Sequence, residues 1–244
     1  MALGRGEVLS RPFSNESHLF IVGHGRCGTT FLTRVLGLMG METGFHENAM
    51  VLSDKLGGCE HFSIRDWEKL VKPMTAKSEY GGPGSIPNRL RHSPYLLKVP
   101  WALRQPGSFQ MMEANTKVDG VIWLVRSYDD VRGLYPRSNP YLESERWTSQ
   151  AFNDLVCSSL GNKTRFLRYP DFALRPEYAW SDMHDVLPEE HRDNYDLFED
   201  CFWELCSPGN VTVFSDEHKV MQQRAAEVQR EWQIGKDKSR SASS

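Results

Sequence analysis

The chain has 244 residues, 39% of them hydrophobic and 25% charged, with a formal net charge of −3. This is ordinary globular usage, and the length allows one large domain or two small ones. The near-neutral balance argues against broad nucleic-acid binding, and no run approaches the ~20 apolar residues of a membrane span. Five cysteines, an odd number without paired spacing, fit a reduced cytoplasmic protein better than a disulfide scaffold.

Residues 1–17 are polar, lack the apolar core of a secretory signal, and are expected to form a loose N-terminal segment. His18 to Val22 (HLFIV) is a short run of strand formers ending at Gly23. From Gly28 to Gly40 the pattern is helical, with Phe31, Leu32, Val35, Leu36 and Met39 on one face and Gly40 as a C-terminal stop. Residues 54–94 are broken by glycines and prolines, with a short helix expected around Ile64 to Leu70.

Tyr95 to Val99 (YLLKV) is a second strand, stopped by Pro100. Val118 to Val125 (VDGVIWLV) is the strongest strand signal. Ser144 to Leu160 predicts a helix closing at Gly161, and Thr164 to Arg168 (TRFLR) a fourth strand. Helices are expected over 188–206 and 216–234, and residues 235–244 (GKDKSRSASS) read as a disordered tail. Strands alternating with helices predict an α/β fold, a parallel sheet flanked by helices, over residues 18–234.

The segment with most chemical content is Gly23-His24-Gly25-Arg26-Cys27-Gly28-Thr29-Thr30. Two glycines in a G-x4-G skeleton, between a strand and a helix, let the backbone curl around an anion. The helix N-terminus adds partial positive charge, and both threonines offer hydroxyl donors. A nucleoside triphosphatase has a lysine after the second glycine. Here Thr29 occupies that place, and the cation sits inside the loop at Arg26. Cys27 is a small residue suited to a tight loop, or a reactive thiol at a helix N-terminus.

The form GxxRxGTT resembles the 5′-phosphosulfate loop of sulfotransferases that use 3′-phosphoadenosine 5′-phosphosulfate (PAPS). That family has a P-loop nucleotide-binding fold. The resemblance implies that Arg26 contacts the bridging and sulfuryl oxygens, with the backbone from Gly25 to Thr30 on the 5′-phosphate. It also implies that Arg126, directly after the third strand, anchors the 3′-phosphate, as a guanidinium suits. Leu134 stands where the family has a serine, and Ser127, Arg132 or Ser138 are its replacements. Tyr169, in Leu167-Arg168-Tyr169-Pro170-Asp171, matches a family turn near the cofactor, with a core tyrosine as the alternative. The resemblance covers about residues 18–178.

Sulfuryl transfer needs in-line positioning, charge stabilisation on the leaving phosphate and a base for the acceptor proton. Pro100 occupies the place of the histidine base found in many cytosolic members, whereas Lys98 is placed to contact the sulfuryl group. Glu47 is the candidate base, with His46 as its alternative or partner. The other reading of Glu47 is a helix first-turn acid.

The implied donor is PAPS and the product 3′-phosphoadenosine 5′-phosphate (PAP). No metal is expected, since no H-x3-H or C-x2-C spacing occurs. The expected partner is a small-molecule hydroxyl or amine acceptor, as in natural-product tailoring, with no nucleic acid and no membrane. A kinase-like P-loop phosphoryl transferase and a non-catalytic nucleotide-binding protein are the alternatives. Residues 182–200 hold eight acids and one arginine, and removing them leaves 28 cations and 24 anions. Such a run is a solvated helix face, or an acidic rim for a cationic acceptor.

Overall fold

A computed structural model describes residues 14–24, 26–44, 90–104, 106–127, 130 and 144–242. The sheet begins with β1 (Ser17–Gly23), which leads through the glycine-rich loop into α1 (Thr29–Leu38). After β2 (Leu96–Lys98) the chain makes a 3-10 turn over Pro100–Arg104 and helix α2 (Ser108–Asn115). Strand β3 (Lys117–Arg126), helix α3 (Ser144–Val156), a 3-10 turn over Ser159–Lys163 and strand β4 (Thr164–Tyr169) follow. The remainder is helical: α4 (Asp171–Leu174), α5 (Pro176–Met183), α6 (Glu189–Arg192), α7 (Tyr195–Leu205) and α8 (Asp216–Ala242).

The four strands lie in the order β2-β1-β3-β4, and every pairing is parallel. This is the α/β sheet expected from the alternating pattern. All four predicted strands appear, within a residue or two of their expected ends.

A parallel sheet covered on both faces needs strands that are apolar at every position. Strand β1 meets that demand with Leu19, Phe20, Ile21 and Val22, all fully buried. Alternate side chains then divide between two cores. Leu19, Ile21, Ile122, Leu124 and Leu167 pack with Leu32, Val35 and Leu36 of α1 and Phe198 and Phe202 of α7. Phe20, Val22, Val121 and Trp123 pack with Phe109 and Met112 of α2 and Ala151 and Leu155 of α3. At about 25 cal/mol per Å2, each fully buried Leu, Ile or Phe contributes roughly 1.5–3 kcal/mol before entropy is counted.

Several boundaries differ from the sequence reading. Helix α2 was not expected; its left-handed start at Gly107 (φ 79°) and few buried residues, Ser108, Phe109 and Met112, leave little periodic signal. The helix from Ser144 stops at Val156, because the Ser158 hydroxyl donates to Leu155 O at 2.7 Å and accepts the Leu160 N–H. The predicted 188–206 helix is two helices, separated where Asn194 Oδ1 accepts the Leu197 N–H at 3.3 Å and starts α7.

The last helix runs past residue 234 to Ala242. Contacts of Lys236 account for its continuation: Nζ pairs with Glu204 and lies 4.5 Å from the Trp232 ring centre. Composition alone carries neither contact. The short helix expected around Ile64 to Leu70 lies outside the described residues.

Candidate active site at the carboxyl edge of the sheet

Because all strands are parallel, their carboxyl ends share one edge, where ligands of open α/β sheets bind. Gly23 ends β1 there, Lys98 ends β2, Arg126 ends β3 and Tyr169 ends β4. The sheet thus gathers four of the sequence-predicted regions onto one edge.

The loop itself is shaped by two left-handed residues, Arg26 (φ 66°) and Gly28 (φ 82°). Alternation of right- and left-handed backbone makes a concavity suited to an anion. Gly28 is required on two grounds: its φ, and a Cβ there would lie 2.6 Å from Phe172 Cζ. A Cβ on Gly23 would meet Leu124 O and Thr29 Cγ2, each at 3.0 Å, so loop, β3 and α1 close tightly at that point. The His24 ring is hydrogen-bonded to the Thr148 hydroxyl of α3, which ties the loop to the second helix layer.

The cations are held differently from one another. Arg26 is exposed. Lys98 is only 4% exposed, and its Nζ donates to the Thr30 hydroxyl at 2.9 Å. A buried ammonium needs such a partner. This contact brings the end of β2 onto the first turn of α1.

The Arg126 side chain is 1% exposed. Its Nη1 donates to Arg26 O at 2.8 Å and its Nη2 to Thr212 O at 2.9 Å. The guanidinium carbon sits 4.2 Å from the Tyr169 ring centre, a cation–π distance. Ser127 lies next to it and accepts the Asp130 N–H on its hydroxyl at 3.2 Å.

Tyr169 accepts the Thr212 N–H at 3.1 Å and packs edge-on against Phe172. Burial raises its phenol above the ordinary range, while Arg126 pulls in the opposite direction. Cys27 is fully buried in the core, and burial pushes its thiol up to about 12. That favours the small loop residue over the reactive thiol.

Asp171, buried beside the turn after β4, has Arg175 Nη2 at 3.5 Å and His218 Nε2 at 3.7 Å.

Comparison with protein-family models found no match, and neither did comparison with curated proteins. The chain is similar to two solved sulfotransferase domains. The sulfotransferase domain from the Synechococcus PCC 7002 olefin synthase has 16% identity and a TM-score of 0.43, over 92% of this chain and 98% of that one. The sulfotransferase domain from the curacin biosynthetic pathway has 17% identity and a TM-score of 0.39, over 87% of this chain and 97% of that one.

Gly25, His46, Glu47, Arg132, Leu134 and Ser138 lie outside the described residues. Among the described residues, no group of three or more His, Cys, Asp or Glu could hold a metal, and no helix is long and apolar enough to cross a membrane.

The acidic segment lies elsewhere. Val186 packs on Gly120, early in β3, and Asp185 forms a forked pair with Arg165, the second residue of β4. Arg165 holds the Asp185 carboxyl below its usual range. This part of the acidic segment therefore faces the amino ends of the strands, opposite the loop. It lends no support to an acidic rim around the acceptor.

The sequence reading missed Thr148, Phe172 and Thr212, each of which holds a loop or edge residue in place. None has a local signal, since each contact spans a long separation in the chain.

Proposed function

We propose that the chain is a PAPS-dependent sulfotransferase that moves a sulfuryl group to a hydroxyl or amine of a small-molecule acceptor. One observation carries the reading. At the end of a buried parallel strand, Arg26 takes the left-handed turn of an anion-binding loop, and Lys98 reaches the Thr30 hydroxyl from the neighbouring strand. Lys98 therefore reaches the first turn of α1, Arg26 stands in the loop just before it, and the loop lysine of a nucleoside triphosphatase is absent.

In this reading the loop N–H groups and the start of α1 bind the 5′-phosphate. Arg26 and Lys98 offset charge as the bond from sulfur to the bridging oxygen breaks and PAP departs. Glu47 takes the acceptor's proton, with His46 as its partner or alternative. The chemistry calls for no metal. A cytoplasmic location and a role in tailoring natural products belong to the same proposal. Anchoring of the 3′-phosphate by Arg126, implied by the motif resemblance, would use N–H groups other than the two that now hold carbonyls.

Titration calorimetry with PAP, and separately with ATP and magnesium, tests the donor class. PAP binding without ATP binding is expected; the reverse would turn the assignment to a phosphoryl transferase. An acceptor screen with labelled PAPS then tests transfer, and binding without transfer to any acceptor would favour a non-catalytic nucleotide-binding protein. Glu47→Gln should keep PAP affinity and lose about 100- to 10,000-fold in transfer rate. Near-full transfer by this variant would remove Glu47 as the base.

A further inference from the structure

The stretch between α7 and α8 reaches the carboxyl edge of the sheet with little packing of its own. A 3-10 turn over Pro208–Asn210 opens it. Of residues 209–215, Val211 and Val213 are half-buried and the others are exposed. Among the described residues, a Cβ on Gly209 would meet nothing within 4 Å. Yet the main chain of Thr212, just beyond the turn, is used twice. Its N–H donates to the Tyr169 hydroxyl at 3.1 Å, and its carbonyl accepts Arg126 Nη2 at 2.9 Å.

Helix α8 supplies the missing hold. Met221, Ala225 and Trp232 pack into the core that includes α7, and the helical period brings Gln222 and Gln229 onto the flank of the same face. A glutamine there must find partners for its amide N–H groups. Gln222 Nε2 donates to Pro208 O at 2.6 Å and to Val211 O at 2.7 Å. Gln229 Nε2 donates to Trp203 O at 3.2 Å and to Cys206 O. Gln229 thus serves the end of α7, where carbonyls lack helical partners.

Gln222 serves the turn, and its second bond matters most. The Val211 carbonyl and the Thr212 N–H belong to one planar peptide unit. Gln222 holds the oxygen of that plane and Tyr169 its N–H. The plane's orientation in turn directs the Thr212 carbonyl at Arg126.

We propose that Gln222 is a positioning residue: its side-chain amide fixes the Val211–Thr212 peptide and, through Tyr169 and Arg126, sets the affinity of the site for a ligand carrying a 3′-phosphate. The ligand half rests on the PAPS reading above; the hold on the peptide does not. Methionine at this position keeps the length and the helix propensity but has no donor. Gln223→Met, at an exposed position of the same helix, is the control.

Hydrogen exchange on the ligand-free full chain tests the hold. The reporters are the amides of Asn210, Val211 and Thr212, which donate to Ser207 O, Pro208 O and the Tyr169 hydroxyl. In Gln222→Met they should exchange about tenfold faster, with the amides of α1 and β3 unchanged and Gln223→Met like wild type. Gln222→Asn, one methylene short, should show the same pattern and reads the hold even if the methionine variant does not fold. Gln229→Met should loosen the end of α7 and spare the Thr212 amide. Unchanged exchange at Thr212 in the Gln222 variants would overturn the proposal, and so would equal loosening of Thr212 in Gln229→Met.

Calorimetry then compares PAP with adenosine 5′-monophosphate, which lacks the 3′-phosphate. In the folded Gln222 variant PAP should lose about tenfold in affinity and adenosine 5′-monophosphate less than about threefold. A merely structural role would not move that ratio. Unchanged PAP affinity, or equal losses for the two ligands, would overturn the proposed route through Arg126. Wild-type protein that binds neither ligand would sink the sulfotransferase assignment, and hydrogen exchange would still decide the hold.

Discussion

Gly28→Ala is the sharpest test of the loop's construction. A Cβ at this position faces two independent penalties. The left-handed φ of 82° costs roughly 1–2 kcal/mol for an L-residue. The added methyl would also lie 2.6 Å from Phe172 Cζ, and Phe172 is fully buried. Forcing one methyl into a packed site costs about 1–3 kcal/mol. Together these predict a loss of about 2–5 kcal/mol. In a chain of this length that lowers the melting temperature by roughly 5–15 °C.

Thermal unfolding followed by circular dichroism measures the total, and a second substitution separates the two parts. Phe172→Leu removes the ring atoms that the methyl would strike. The double variant should therefore be about 1–3 kcal/mol more stable than the sum of the two single losses predicts. Two outcomes would refute the reasoning. Gly28→Ala could melt within about 1 °C of wild type, or the two losses could simply add.

Other expectations follow from the same geometry. Lys98→Met should leave the melting temperature near wild type or raise it, since it removes a buried cation; sulfuryl transfer should fall roughly 100- to 1,000-fold in a labelled-PAPS assay. Native-state alkylation at pH 8 should label exposed Cys157 and spare Cys27, whose thiol is pushed up to about 12; peptide mapping reads both. His18 is fully buried and its imidazole is lowered from 6.5 to about 4, chiefly by desolvation. Its neutral form is the stable one in the fold, so its contribution is complete above pH 6.5 and is lost as pH falls towards 4. That gap corresponds to about 3 kcal/mol, and denaturant melts across this range should show wild type losing that much more than His18→Asn. Neutralising Asp182, Asp185 and Glu189 together should leave the KM for a cationic acceptor unchanged, and a severalfold rise would restore the acidic-rim reading.

The parts of this chain legible from sequence are those whose cause is local. Strand β1 declares itself because burial on both faces demands an unbroken apolar run. The loop declares itself because its glycines, cation and hydroxyls are adjacent in the chain. Helix α2 is nearly silent, since it buries few residues and starts on a left-handed glycine.

The arrangement around Arg126 has another kind of silence. Its partners are main-chain carbonyls, 100 residues upstream and 86 downstream, and a carbonyl is present whatever residue carries it. Nothing in the identities of Arg26 or Thr212 records the bond. A strand-ending arginine next to a glycine-rich loop therefore has two readings that sequence cannot separate, a ligand contact and a brace. In the ligand-free chain both Nη groups already donate to carbonyls and the side chain is 1% exposed, so the brace is formed before any ligand arrives. A guanidinium has five N–H donors and two are used here, so a ligand contact and the brace can coexist. Hydrogen exchange at residues 26–30 with and without PAP shows whether the brace holds: slower exchange on addition of PAP is expected, and faster exchange would mean that the carbonyls are released.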